Sequence, residues 1–326
     1  MNFNALNTVV ATLSVILVVG FLCRKTGIID DVASKRLSKL ILMIGQPAMI
    51  VYSMASAEYS EENVRMAWIM LALGFVFHIV LAVLSFFFAL PYKNVSDENK
   101  ISEFSFMFAN CCFIGFPIFE ALIGPQGLFM ASFLTFSFNI LLWTWGLGIF
   151  ARGRDDIKLN FKKILLNFGT VPCVIGLILY LLKSPSVGLE MPQFLMKGMG
   201  YLSNLCTPIS VLVTGALMAT QSPKKIFGTW KIYYFNIVKL LGLPLAVCVI
   251  SKILLILLPF EGLEIYAVFV TAAAALPAAS SVTMMCETYG VDAGYSSLAV
   301  GTSSVLSVLS LPLTMLVAQW ILALPI

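Results

Sequence analysis

Ten apolar runs, mostly 18 to 25 residues long, divide the chain at about 6–23, 36–57, 65–90, 102–123, 128–150, 164–182, 197–219, 232–258, 264–287 and 293–323. At about 1.5 Å of rise per residue, a helix of that length crosses about 30 Å of hydrocarbon. Inside hydrocarbon every backbone N–H and C=O needs a protein partner, which favours helices, and the short alternating strands of a membrane barrel are absent from the pattern. Composition agrees. Of 326 residues, 60% are hydrophobic and 11% charged, with a mean hydropathy of +0.97, more apolar surface than a water-soluble domain of this size hides. The expected class is an all-α polytopic membrane protein with ten transmembrane helices. The first run starts almost at Met1 without a basic flank and is followed by Arg24-Lys25, so it reads as a retained span rather than a signal peptide.

Charge sets the expected orientation. With the N-terminus outside, the inner loops hold Arg24, Lys25, Lys35, Arg36, Lys39, Lys93, Lys100, Arg152, Arg154, Lys158, Lys162, Lys163, Lys224, Lys225 and Lys231, fifteen of the twenty basic residues. The outer loops hold only Arg65, Lys183 and Lys197. This bias predicts a multi-pass protein of the cell's inner (plasma) membrane with both termini outside. Lys239 and Lys252 fall within the eighth run; Lys252 is expected to snorkel outward, and Lys239 lies either in the bilayer or near its edge.

The prolines suggest a repeat. Pro47 to Pro117 spans 70 residues and Pro208 to Pro277 spans 69, which aligns the halves at an offset of 160 or 161 with five runs in each. An odd number of spans makes the second copy enter from the opposite side, giving an inverted repeat of 1–150 and 164–326. Coincidence is the alternative, since prolines are common in membrane helices.

Inverted-repeat carriers place broken helices at mid-membrane, and runs four and nine are the candidates. In NCCFIGFPIFEALIG, Asn110 lies about 14 Å from the start of its helix, Pro117 lacks an N–H, and Gly115 permits a bend. Small residues from Ala272 to Ala275 precede Pro277 and allow another backbone to cross closely. Asn110 is either a helix–helix hydrogen-bond donor or a substrate contact, and the matched broken helix favours the second. Glu120 is expected in the outer vestibule or interface, as a structural ion pair or a proton-linked group. His78 reads as a packed core residue before a proton carrier, and Trp143 and Trp145 as belt anchors.

The same stretch resembles the fourth-helix motif of the auxin efflux carrier family, the plant PIN carriers and their bacterial relatives, in which an N-x-x-x-x-G-x-P pattern occurs. Here its positions are Asn110, Gly115 and Pro117, and the resemblance continues through NILLWTW, LSNLCTPISVLVTGALMA, ALPAASSVTMMCETYG and LSLPLT. It implies ten helices in two inverted five-helix repeats, with helices four and nine crossing at the breaks Gly115, Pro117 and Pro277. Helices 1, 2, 6 and 7 would form a scaffold with a homodimerisation surface. Helices 3–5 and 8–10 would form the transport unit, moving past the scaffold in elevator fashion. The implied substrate-binding set is Asn110, Cys111, Asn139, Ser53, Ala275 and Pro277, with Ser56 near Ser53. Glu120, His78 and Lys239 are the groups available for proton or ion coupling. Plant members usually carry a basic residue at the position of Glu120, charged groups in helix three, and a much longer central loop. The implied substrate is therefore a small organic anion, of the malate class before auxin-like acids.

Other classes fit less well. A sodium-coupled symporter of the bile-acid type would need oxygen ligands at the crossing, which Ser280, Ser281 and Thr283 offer without a mid-membrane acid. Seven Cys and one His show no metal spacing, and neither H-E-x-x-H nor G-x-S-x-G occurs, so no enzyme, metal or cofactor is expected. No nucleic-acid partner is expected; the partners are the bilayer and the anion. Loops of about fifteen residues or fewer leave little surface for a signalling partner.

Overall fold

The computed structural model describes residues 3–92, 96–157, 165–220, 229–257 and 262–324. Of the features above, Lys93, Lys158, Lys162, Lys163, Lys224, Lys225, the start of the sixth run at 164 and the end of the eighth at 258 lie outside the described residues.

Among the described residues the chain is helical, without a strand beyond one isolated bridge. In order the helices are α1 (Phe3–Lys25), α2 (Asp31–Leu40), α3 (Gln46–Ser56), α4 (Glu61–Ala89), α5 (Asp97–Met107), α6 (Phe116–Ile123), α7 (Pro125–Leu141) and α8 (Leu147–Ala151). They continue as α9 (Thr170–Leu181), α10 (Gln193–Asn204), α11 (Cys206–Met218), α12 (Trp230–Ile237), α13 (Leu243–Leu257), α14 (Leu263–Ala275), α15 (Ser281–Tyr289) and α16 (Ala293–Ala323). Among the described residues, seven helical segments are long and apolar enough to cross a membrane, and three shorter apolar ones lie at Cys111–Ile123, Thr170–Leu181 and Leu263–Ala275.

Local chemistry fixes the helix starts. Asp30, Ser60, Ser96 and Asp292 cap α2, α4, α5 and α16, each accepting the N–H three residues on. Acidic residues follow in the first turn of α4 (Glu61, Glu62) and α5 (Asp97, Glu98), where the helix dipole favours them. Four π turns interrupt the runs, at Ile41–Gly45, Cys111–Gly115, Leu142–Gly146 and Val238–Gly242. Three of them lead into Pro47, Pro117 and Pro244. Proline has no N–H to give and crowds the carbonyl four residues back, so a widened turn relieves both defects without ending the helix.

Glycine sets the closest crossing. A Cβ on Gly20 of α1 would lie 2.0 Å from the Leu212 carbonyl oxygen, and one on Gly215 of α11 would lie 2.0 Å from that of Leu17. The two backbones therefore touch, as small residues allow within a membrane. Large apolar side chains such as Val15, Val18, Leu22, Trp68, Val76 and Phe87 face outward, while the interior gathers around α5 and α14. Every residue from Asn99 to Phe116 and from Phe269 to Ala279 is buried. Those two stretches contain the non-helical backbone, which survives in hydrocarbon only where protein surrounds it.

Candidate functional site

The interruption in the fourth run lies at Phe108–Asn110, one to two turns before the residues that chemistry marks as breakers. Phe108 is extended (φ −107°, ψ 110°), Gly115 has helical angles, and Pro117 sits in the first turn of α6, where a missing N–H is tolerated. Gly115 supplies space rather than a bend: a Cβ there would come within 2.9 Å of the Leu276 side chain. The ninth run behaves as its proline demands. Leu276, the residue before Pro277, is extended (φ −66°, ψ 150°), and α14 ends there.

The two breaks satisfy each other. Ala109 and Ala278 form an antiparallel bridge, in which the Asn110 N–H donates to the Pro277 carbonyl at 2.8 Å and the Ala279 N–H donates to the Phe108 carbonyl at 3.1 Å. Ser303 Oγ of α16 accepts the Ala278 N–H at 3.2 Å. Backbone groups freed from two helices are thus paired without water, and Ala272–Ala275, all buried, permit the approach. Each run leaves the bridge as a new helical segment, so two N-termini with their partial positive charge start beside the crossing.

Asn110 stands at one of them. Its Oδ1 accepts the Phe113 N–H at 3.3 Å and its Nδ2 reaches Ser280 Oγ at 3.5 Å, the latter at the limit of a hydrogen bond. Cys111 follows it, buried. Asn139 of α7 donates to the Thr135 carbonyl at 2.7 Å and packs under Gly169, where any Cβ would collide with its amide at 2.1 Å. Ser53 of α3 shares a hydrogen bond with Ser132 of α7, while Cys173 donates to the Ser132 carbonyl at 3.5 Å. Gln46 reaches Cys112 Sγ at 3.5 Å, and Cys112 lies 3.8 Å from Thr135 Oγ1. The structure brings Asn110, Cys111, Ala275 and Pro277 together at the crossing. It places Ser53 and Asn139 on a polar seam where α3 and α9 meet α7 and the Cys111–Gly115 turn.

The charged candidates separate. Glu120 is exposed on α6, away from the crossing and outside the four ion pairs found among the described residues. His78 is buried, with Nδ1 2.7 Å from the Gly74 carbonyl and the rings of Phe77, Phe108 and Phe138 around it. Lys239 lies inside the bundle in the Val238–Gly242 turn, close to the crossing rather than at an edge. Lys252 extends to the end of α16, where its Nζ donates to the Leu322 and Leu324 carbonyls at 3.1 and 2.6 Å and caps the helix. Trp143 is half-buried and Trp145 exposed.

At the end of the bundle where α5 begins, charges tie the elements of the crossing together. Arg152 pairs with Glu103, Lys231 with Glu98 at 2.6 Å, and Arg154 donates to the Tyr289 carbonyl. Arg154 also bonds Asp156 in the loop and holds that carboxyl below its usual range. Sequence reasoning passed over Ser303. The run Gly301-Thr302-Ser303-Ser304 within an apolar helix was its signal, because small hydroxyls in a span serve nearby polar backbone.

Among known proteins, the family described as Membrane transport protein matches residues 5–315. An uncharacterized transporter of Methanocaldococcus jannaschii is 23% identical over 291 residues, covering 87% of this chain and 89% of its own.

Proposed function

The chain belongs to the membrane transport protein family, the auxin efflux carriers, and from that premise we propose that it is a secondary carrier of small organic anions, malate-like carboxylates before auxin-like acids. The supporting observation is the antiparallel bridge of Ala109 and Ala278, which sets two helix N-termini and the Asn110 amide around one buried point. Helix N-termini attract carboxylates through unpaired N–H groups and dipole, and a site dry enough to exclude water strengthens both.

In this reading the chain forms ten membrane helices in two inverted five-helix repeats, with both termini outside the plasma membrane. The crossing carries the substrate, and α3 forms the opposing wall. Contacts across the seam suit sliding: two hydroxyls, two thiols and one amide exchange partners at small cost, whereas a seam of ion pairs would lock it. The moving unit carries Asn110 past the seam, giving alternating access in elevator fashion.

Flux into proteoliposomes tests this. A panel of L-malate, succinate, benzoate and indole-3-acetate should show saturable uptake of at least one member, measured with and without a sodium gradient to detect sodium coupling. Asn110→Ala should lower affinity for that member about 10-fold or more while the protein stays folded, since the lost cap alone costs about 1 kcal/mol. Absence of saturable carboxylate movement refutes the function, and unchanged affinity in Asn110→Ala removes that residue from the site.

A further inference from the structure

We propose that Lys239 is the anion-binding charge of the crossing, with its ammonium receiving the carboxylate of the transported molecule where α5 opens. This rests on the carrier function above. Lys239 is 0% exposed and sits in the π turn Val238–Gly242, between α12 and α13. Its amine has three donors, and among the described residues it makes one long hydrogen bond, 3.5 Å to the Phe106 carbonyl. None of the four ion pairs found there includes it. The Phe106 carbonyl is two residues before Phe108, where the fourth run opens, so the amine lies beside the end of α5 that leads into the crossing.

A bare ammonium in a dry interior costs far more than one long hydrogen bond returns, so Lys239 holds its charge there only with an anion beside it. His78 cannot balance it, because an imidazole is either neutral or cationic. Cys111 and Cys112 are buried thiols without a hydrogen bond to the lysine. A carboxylate bound at the break that follows Phe106 would supply the anion. The sequence adds a second, independent pointer. Lys239 follows His78 by 161 positions, the same interval that separates Pro208 from Pro47. Under the inverted repeat proposed above, the two basic residues occupy matching places, each beside the crossing, and the second half carries the more basic group.

Capping offers a different role. Phe106 is one of the last carbonyls of α5, whose negative end a lysine also suits. A cap needs a donor, whereas an anion site needs the charge. Lys239→Gln keeps a donor and removes the charge, so it separates the two. Binding of L-malate, succinate, benzoate and indole-3-acetate is measured beside their carboxamides, on the purified full chain. Wild type should prefer the best-bound acid to its amide by about 10-fold or more, and Lys239→Gln should lose about 10- to 100-fold in acid affinity with amide affinity unchanged. Retained preference for the acid in Lys239→Gln overturns the proposal and leaves the carrier function standing. Equal affinity of wild type for acid and amide overturns it without any variant, which covers a Lys239→Gln chain that does not fold. Failure of wild type to bind any carboxylate overturns both this inference and the carrier reading.

Discussion

Arg152 and Glu103 offer the sharpest stability test, because one partner is buried and the other is not. The Glu103 side chain is 5% exposed and that of Arg152 is 37% exposed. Their ion pair fastens α5, the helix that leads into the crossing, to the end of α8. Replacing Arg152 by Met keeps most of the apolar stem and deletes the charge, leaving a carboxylate enclosed by protein. Breaking a fully buried pair costs about 3–5 kcal/mol. Water reaches Arg152 from one side, which screens the pair, so the expected loss is about 2 kcal/mol. At roughly 2 °C per kcal/mol for a chain this large, the midpoint should fall by about 4 °C.

Lys100 lies one turn before Glu103 but donates to the Phe150 carbonyl at 3.4 Å, so it does not take over the pairing. The assay is thermal unfolding in detergent, followed by tryptophan fluorescence, for wild type, Arg152→Met, Glu103→Gln and the double variant. The diagnostic is the order within the cycle. Glu103→Gln should raise the midpoint in the Arg152→Met background, because it removes the stranded charge, and lower it in wild type. A double variant less stable than Arg152→Met, or an Arg152→Met midpoint equal to wild type, would refute the reasoning.

Two further outcomes follow from packing and exposure. Gly215→Val puts a side chain where only 2.0 Å separates its Cβ from the Leu17 carbonyl, so α1 and α11 must part; the yield of monodisperse protein in size-exclusion chromatography should fall severalfold, whereas Gly198→Val, which meets nothing within 4 Å, should not change it. Cys23 is the one partly exposed thiol and the other six are buried, so a membrane-impermeant maleimide should label one site; with both termini outside, it should do so only after intact cells are opened, and labelling of intact cells would reverse the proposed orientation.

Much of this architecture is legible in apolar run length, and the runs fall close to the observed helices. The second break is legible too, because the residue before a proline resists helix and Leu276 obeys. The first break misleads for a physical reason. Pro117 is absorbed by the widened Cys111–Gly115 turn, and the chain opens instead at Phe108–Asn110, where Pro277 and Ala279 provide hydrogen-bond partners about 170 residues away. No local rule carries that information. Asn110 stood out because an amide in an apolar run needs a partner, whereas Lys239 needed its neighbours to show that none of the described residues pairs with it as a countercharge.

Mutual satisfaction at the crossing also fixes which parts can move together. Each break stays dry because the other supplies its backbone partners, so neither α5 nor α14 can shift alone without exposing several N–H and C=O groups to hydrocarbon, at several kcal/mol in all. The two broken helices therefore act as one body, and the Phe106 contact joins Lys239 to it. Gln46, by contrast, reaches that body through the Cys112 thiol, and Ser53 reaches only the neighbouring α7, through the Ser132 hydroxyl. Under the carrier function, affinity then follows residues that stay with the substrate, Asn110 and Lys239. Substitutions at Gln46 or Ser53 act on the wall left behind, and belong in the rate of exchange between the two faces.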